Sequence, residues 1–205
     1  LIMEPNEYYY GEKPKLKKVT VLNIAEDAAV AAAKSGQVDV LFLNSDYANA
    51  KVDNMKVFTM QTITSFTLNL PTQPEREENG MKVGNNVTSD PAIRKALNIG
   101  INRAEIIKNA LDGFGEPTYM YSKELAWVNP ELNITDNRVE EAKKILEDAG
   151  WKDTDGDGIR EKNGVKAEFK ISGRSNDLQR YNTAVALAAD AKKLGINMIA
   201  ESMAW

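Results

Sequence analysis

Residues 167–200 read AEFKISGRSNDLQRYNTAVALAADAKKLGINMIA, and this stretch decides the fold. Ala167 to Ile171 alternates with Glu168 and Lys170 directed outward, the period-2 pattern of a half-buried strand. Asp177 to Leu194 contains no Gly or Pro and reads as a long helix that Gly195 stops. Ile196 to Ala200 turns apolar again and reads as the next strand. Strand, helix, strand is a βαβ unit, whose parallel crossover is right-handed in nearly all cases. The class that follows is mixed α/β.

Upstream, Asp136 to Ala149 is amphipathic, with Val139, Ala142, Ile145, Leu146 and Ala149 on one face. Gly150 then stands where a left-handed cap is expected, and Trp151 is expected against Leu146 in a Schellman arrangement. Asp90 and Pro91 have the chemistry of an N-cap and a first helical residue. Ile93, Ala96, Leu97 and Ile101 form the apolar face that follows. Asn102 with Glu105 three residues on resembles a capping box that opens another helix, stopped at Gly113. Glu116 to Thr135 has little periodicity and reads as an extended loop. Pro71 to Asn86 is polar and reads as a surface loop. Ser65 to Leu70 (SFTLNL) alternates, with Phe66, Leu68 and Leu70 on one face, and predicts a strand. Nearer the start, Val19 to Ile24 predicts a strand, Glu26 to Ser35 an Ala-rich helix stopped by Gly36, and Val38 to Leu43 (VDVLFL) a strand buried on both faces. That set would be another βαβ unit. Lys56 to Thr59 is a candidate short strand.

The chain has 205 residues, with 26 Lys plus Arg against 30 Asp plus Glu, and neither His nor Cys. A Ser-His-Asp or Cys-His triad cannot be assembled from it, nor a His- or thiolate-ligated zinc site. The formal net charge of −4 argues against nucleic acid as a partner, since phosphate binding needs a concentrated positive surface. No apolar run approaches the roughly 18 residues of a membrane span. The opening Leu-Ile-Met-Glu and the closing Met-Ala-Trp read like interior stretches, so a piece of a longer protein is expected.

The sharpest local motif is DTDGDG at 153–158. Asp153, Asp155, Asp157 and Gly158 match the first half of a calcium loop, in which oxygens at alternate positions wrap a hard cation. The twelfth position, which should be a bidentate Glu, is Gly164, and Glu161 falls at the ninth. A hairpin turn is the favoured reading, and a calcium-stabilised interaction module is the rival. Lys13, Lys15, Lys17 and Lys18 read as a solvated lead-in to a strand, and Glu75, Glu77 and Glu78 sit in a polar loop that would perturb no carboxylate. Phe42 and Phe66 are core residues by default. Asn44 and Ser45 follow the expected buried strand at its carboxyl end, where α/β sheets bind ligands, and are site candidates.

Several phrases line up in order with one family. NEYYYGEKPKLKKVTVLNI (6–24) resembles the N-x-x-Y-x-G-x-P-x-L-x-x-V segment of family-5 extracytoplasmic solute-binding proteins, which serve ABC importers of oligopeptides, dipeptides and nickel. AKSGQVDVLFL (33–43) and SFTLNL (65–70) are similar to two further segments. SDPAIRKALNIGINRAEIIKNALDGFGEP (89–117) resembles the family's D-x-x-V-R-x-A signature. DNRVEEAKKILEDAGWKDTDGDGIREKNG (136–164) and KKLGINMIAESMAW (192–205) complete the ordered set.

The resemblance implies a type II periplasmic-binding-protein-like fold, a mixed sheet with flanking helices, present as a partial chain. It implies a first-lobe and hinge-crossing portion at 1–62 and a second lobe at 63–205. It also implies that DTDGDG is a hairpin turn. The implied function is capture of peptides, or a related small solute, in an interlobe cleft, with delivery to an ABC permease by a monomeric extracytoplasmic protein, periplasmic or lipid-anchored. No catalysis and no cofactor are implied. A peptide-sensing receptor on the same fold is the alternative. The Phe42–Asn44 turn and the Thr64–Phe66 strand (Thr64, Ser65 and Phe66) match cleft-lining positions of peptide-binding members. Those members often carry tyrosines where this chain has Thr64, Ser65 and Phe66, which leaves the ligand class open.

Overall fold

The computed structural model describes all residues except 45–46, 61, 63, 121–124, 176 and 205. The chain divides into two compact units, Leu1–Thr59 and Met60–Trp205.

In the first unit, β1 (Ile2–Met3) pairs antiparallel with β2 (Val19–Thr20). The ladder is extended by Leu1 and Val21, whose N and O atoms exchange bonds of 2.8 and 2.9 Å. Helix α1 (Glu26–Lys34) forms where the Ala run predicts it. It closes with Gly36 N donating to Ala33 O and Gln37 N to Ala32 O. The expected strand at Val38–Leu43 is absent. Val40 and Phe42 are 87% and 75% exposed, and no described strand lies beside them to supply a ladder. An apolar run without a partner for its backbone groups does not become a strand. For the same reason Val19–Ile24 forms a strand only over β2, Lys56–Thr59 forms no strand, and no βαβ forms among the described residues of this unit. Its buried hydrophobic residues, among those described, are Ala29 and Ala33. A stretch that buries so little apolar surface does not offset its chain entropy. Expressed alone, residues 1–59 should therefore show no cooperative thermal transition, whereas 60–205 should melt in one; circular dichroism of the two pieces checks this.

The second unit holds a real core. β3 (Arg76–Glu78) and β4 (Met81–Val83) form a hairpin inside the stretch expected to be a plain loop. Asn79 and Gly80 join them, both at positive φ (54° and 75°), as a two-residue primed turn requires. The Ser65–Leu70 segment forms no strand. Helix α2 (Pro91–Gly100) starts as expected, with Asp90 Oδ1 accepting from Ala92 N at 2.8 Å. α3 (Arg103–Ala110) starts with Asn102 Oδ1 accepting from Glu105 N at 3.0 Å. The box is modified, because the backbone N–H of Asn102 donates to Asp190 Oδ2 instead. The described residues between 116 and 135 form a loop that includes a 3₁₀ turn at Pro130–Leu132. It is pinned by Arg103, whose guanidinium bonds Asp136 and lies 4.7 Å from the centre of the Tyr119 ring.

α4 (Val139–Asp148) packs on α2. At their crossing, a Cβ added to Gly100 would lie 2.7 Å from Ala142 Cβ and 2.8 Å from Leu194 Cδ1. Gly100→Ala should thus cost about 1–3 kcal/mol by overpacking, read as a drop in urea midpoint. β5 (Glu161–Lys162) and β6 (Val165–Lys166) make a second short hairpin. β7 (Glu168–Arg174), α5 (Leu178–Ala191), a 3₁₀ turn at Lys192–Leu194 and β8 (Asn197–Met203) then form the predicted parallel βαβ unit, with Glu168 opposite Asn197 and Arg174 opposite Met203. Phe169, Ile171 and Met198 face a core shared with Ile93, Leu146, Trp151 and Leu194. The architecture is mixed α/β, with several small sheets and flanking helices.

Candidate functional site

Open α/β sheets place ligands outside the carboxyl ends of their parallel strands. In the second unit that end is where β7 stops at Arg174 and β8 at Met203. Ser175 N donates to Met203 O at 2.8 Å, and Ser172 Oγ lies 3.0 Å from Met203 Sδ, so the two strand ends are tied together. α5 follows in the chain from Leu178. Asp177 caps this helix, its Oδ1 accepting from Arg180 N at 3.1 Å and its Oδ2 from Arg180 Nε at 2.8 Å.

Arg180 also meets a residue from far away in sequence. Its guanidinium carbon stands 4.6 Å from the centre of the Phe66 ring, within the range of a cation–π contact. Gly173 permits the closeness of helix and strand, since a Cβ there would sit 2.7 Å from Tyr181 Cα. Backbone cannot yield as a flexible side-chain tip can. Gly173→Ala is expected to cost about 1–3 kcal/mol, visible as a lowered Tm, and to shift the first turn of α5 off β7.

Of the residues expected from sequence, Phe66 is the one placed at this corner by a described contact. Ser65 beside it is half-buried and Thr64 exposed. Phe42 is exposed, not core, and Asn44 is exposed, with its carbonyl accepting from Tyr47 N at 3.1 Å. Ser45 lies outside the described residues. The sequence marks Asp177 as a helix start and does not single out Arg180. The available signal was a cation in the first turn after a parallel strand.

The DTDGDG stretch forms the turn before β5. One carboxylate oxygen from each of Asp153, Asp155, Asp157 and Glu161 lies within 4.8 Å of the others. Asp153 accepts from Gly156 N and Gly158 N, Asp155 from Asp157 N, and Asp157 from Ile159 N. Lys166 closes on Asp157 and stands 3.6 Å from Asp155. The Lys166 bond, then the Ile159 N–H, hold the Asp157 carboxyl below the ordinary range. The acids thus fold the turn, consistent with the hairpin reading.

Comparison with known proteins places the chain. The profile of bacterial extracellular solute-binding proteins, family 5 (middle), matches residues 1–205. The oligopeptide-binding protein AppA of Bacillus subtilis is 31% identical over 99% of this chain and 36% of its own length. The nickel-binding periplasmic protein of Escherichia coli is 29% identical over 94% of this chain and 36% of its length. The structure of AppA with a nonapeptide superposes over 100% of this chain and 40% of its own at 28% identity, with a TM-score of 0.65. That of NikZ from Campylobacter jejuni with Ni(L-His) does so over 99% and 39% at 24% identity, with a TM-score of 0.78, a likeness of fold. The chain spans little more than a third of these relatives. On the match along its whole length, it belongs to family 5 of the bacterial extracellular solute-binding proteins.

Proposed function

We propose that the protein containing this chain is the solute-binding component of an ABC importer, which captures peptides or a related small solute in an interlobe cleft and delivers them to a membrane permease. The observation that carries this reading is the family match over residues 1–205. The open carboxyl ends of β7 and β8, with Phe66 and Arg180 beside them, support it, since they offer a polar and aromatic surface of the kind such ligands use. Residues 1–62 supply part of the first lobe and the crossing strands, and 63–205 the second lobe. Phe42, Asn44, Ser45, Thr64, Ser65 and Phe66 contribute to ligand contact. An extended peptide can be held largely through its backbone, so selectivity for side chains is loose. The protein acts outside the cytoplasmic membrane, as a monomer, and turns over no ligand.

The test is calorimetry and thermal melting of the full-length protein with oligoalanine peptides of three to nine residues and with the nickel–histidine complex. A bound solute at a hundred times its Kd should add about 2.7 kcal/mol of stability and be recovered chemically unchanged. Absence of any thermal shift, or cleavage of the peptide, defeats the reading.

A further inference from the structure

We infer that Lys166 is a tethered counter-ion: its ammonium does for the 153–161 turn what the metal does for a calcium loop, makes the turn independent of calcium, and on removal leaves a divalent-cation site behind. This goes beyond the solute-binding reading and does not depend on it.

Asp153, Asp155 and Asp157 stand at the alternate positions of a calcium loop and Glu161 at the ninth. Such a loop takes its bidentate carboxylate from the twelfth position and runs on into a helix. Here the twelfth position is Gly164, at a φ of 77° directly after Asn163 at 52°. The chain doubles back at this point as the β5–β6 hairpin, whose register sets Glu161 opposite Lys166. The returning strand therefore brings an ammonium to the loop, where a helix would have begun with a carboxylate.

The carboxylate oxygens show what that ammonium does. Asp153 gives both oxygens to the turn, to Gly156 N and Gly158 N. Asp155 Oδ1 accepts from Asp157 N, and Asp157 Oδ1 from Ile159 N. The second oxygens of Asp155 and Asp157 are the ones that meet Lys166 Nζ, that of Asp155 at 3.6 Å. Glu161 Oε2 accepts from Thr154 N and Thr154 Oγ1 at 2.9 and 2.8 Å. Its Oε1 is buried and takes no hydrogen bond among the described residues. Such an oxygen is costly unless positive charge is near. Lys166 supplies that charge. The bond to Asp157 first, then the charges of Asp155, Asp157 and Glu161, outweigh desolvation and hold its ammonium above the ordinary lysine value. It stays charged wherever the carboxylates are ionised.

Without Lys166, one oxygen from each of four carboxylates would lie within 4.8 Å of the others with that charge gone. Repulsion of that kind is what a hard cation relieves, with water completing its shell of about six or more oxygens. A protein outside the membrane meets calcium at whatever level the medium holds; an ammonium carried on β6 frees the turn from that level.

Calorimetric titration of the full-length protein with calcium chloride, and melting curves in calcium and in EDTA, test this. Lys166→Met should bind one more calcium ion than the wild type, with a Kd of about 0.1–1 mM, the range of extracellular calcium modules. Its Tm should rise by about 2 °C or more in saturating calcium, while that of the wild type moves less than half as far. Adding Asp155→Asn to Lys166→Met should abolish the extra ion, and Lys166→Arg should bind none. Should Lys166→Met be unstable in EDTA, recovery of its Tm by calcium gives the same answer. Failure of Lys166→Met to gain a calcium ion overturns the inference. So does a wild type that already gains as much from calcium as the variant and loses that gain in Asp155→Asn, because the ammonium then keeps nothing out.

Discussion

Trp151→Ala should destabilise the Met60–Trp205 unit by about 3–5 kcal/mol, lowering Tm by roughly 10 °C in a domain of this size. Trp151 is 2% exposed and shares a core with Ile93, Leu146 and Leu194. Its position is set locally. The end of α4 is a Schellman motif in which Gly150 N donates to Glu147 O at 2.9 Å and Trp151 N to Leu146 O at 2.8 Å, with Gly150 at a φ of 89°. Those main-chain bonds, and the bond from Arg160 Nη1 to Trp151 O, survive the substitution. What is lost is the indole volume, which leaves a cavity, and the bond from Nε1 to Asp90 Oδ2 at 3.0 Å. Trp151→Phe keeps most of the volume and should cost clearly less. Urea unfolding at constant m separates the two variants. A loss below about 1 kcal/mol for Trp151→Ala would mean that the indole is not a core residue.

How much of this was legible in the sequence depended on the distance over which each signal acts. Asp90, Pro91, Asn102 and the Gly150–Trp151 pair were readable because caps are decided within a few residues; the Asp90, Asn102 and Gly150–Trp151 bonds form as expected, and only the return half of the Asn102–Glu105 box is replaced, by distant Asp190. The βαβ unit from β7 to β8 was readable because its alternation, helix and second strand lie together in the chain. The strands expected at Val38–Leu43 and Ser65–Leu70 did not form, since a strand exists only beside a partner and an apolar run does not name one. The β3–β4 hairpin shows the reverse fault: Asn79-Gly80 was a strong turn signal, masked by the acidic residues around it. At the candidate site, Phe66 belonged to a segment already singled out. Arg180 did not, because what distinguishes it is a ring contact with a residue more than a hundred positions earlier.

Asp90→Ala should cost about 2–4 kcal/mol at neutral pH, and the gap between wild type and variant should shrink as the solution is acidified. Asp90 joins separate parts of the unit. Oδ1 caps α2 through Ala92 N, while Oδ2 accepts from Trp151 Nε1 and from Lys162 Nζ at 2.7 Å. Removing the cap costs about 1 kcal/mol, and leaving a buried indole N–H without a partner costs about 1–3 more. Lys162, 32% exposed, can turn to water. The carboxylate itself is 17% exposed. Burial by itself would raise its pKa; the Lys162 ammonium with the Ala92 and Trp151 N–H groups outweighs burial and holds it below the usual Asp value. Because the folded-state pKa is the lower one, the ionised group's contribution is fully present above the unfolded value of about 3.9. It declines as the pH falls below that value and is gone once the pH has passed the folded one. Other titrating groups are common to both proteins and cancel in the difference. Unfolding free energies of wild type and Asp90→Ala between pH 7 and pH 3 should therefore converge as acid is added, with Asp90→Asn keeping the helix cap but showing the same loss of pH dependence. A gap that stays constant over that range would mean that the Lys162–Asp90 pair contributes nothing to stability.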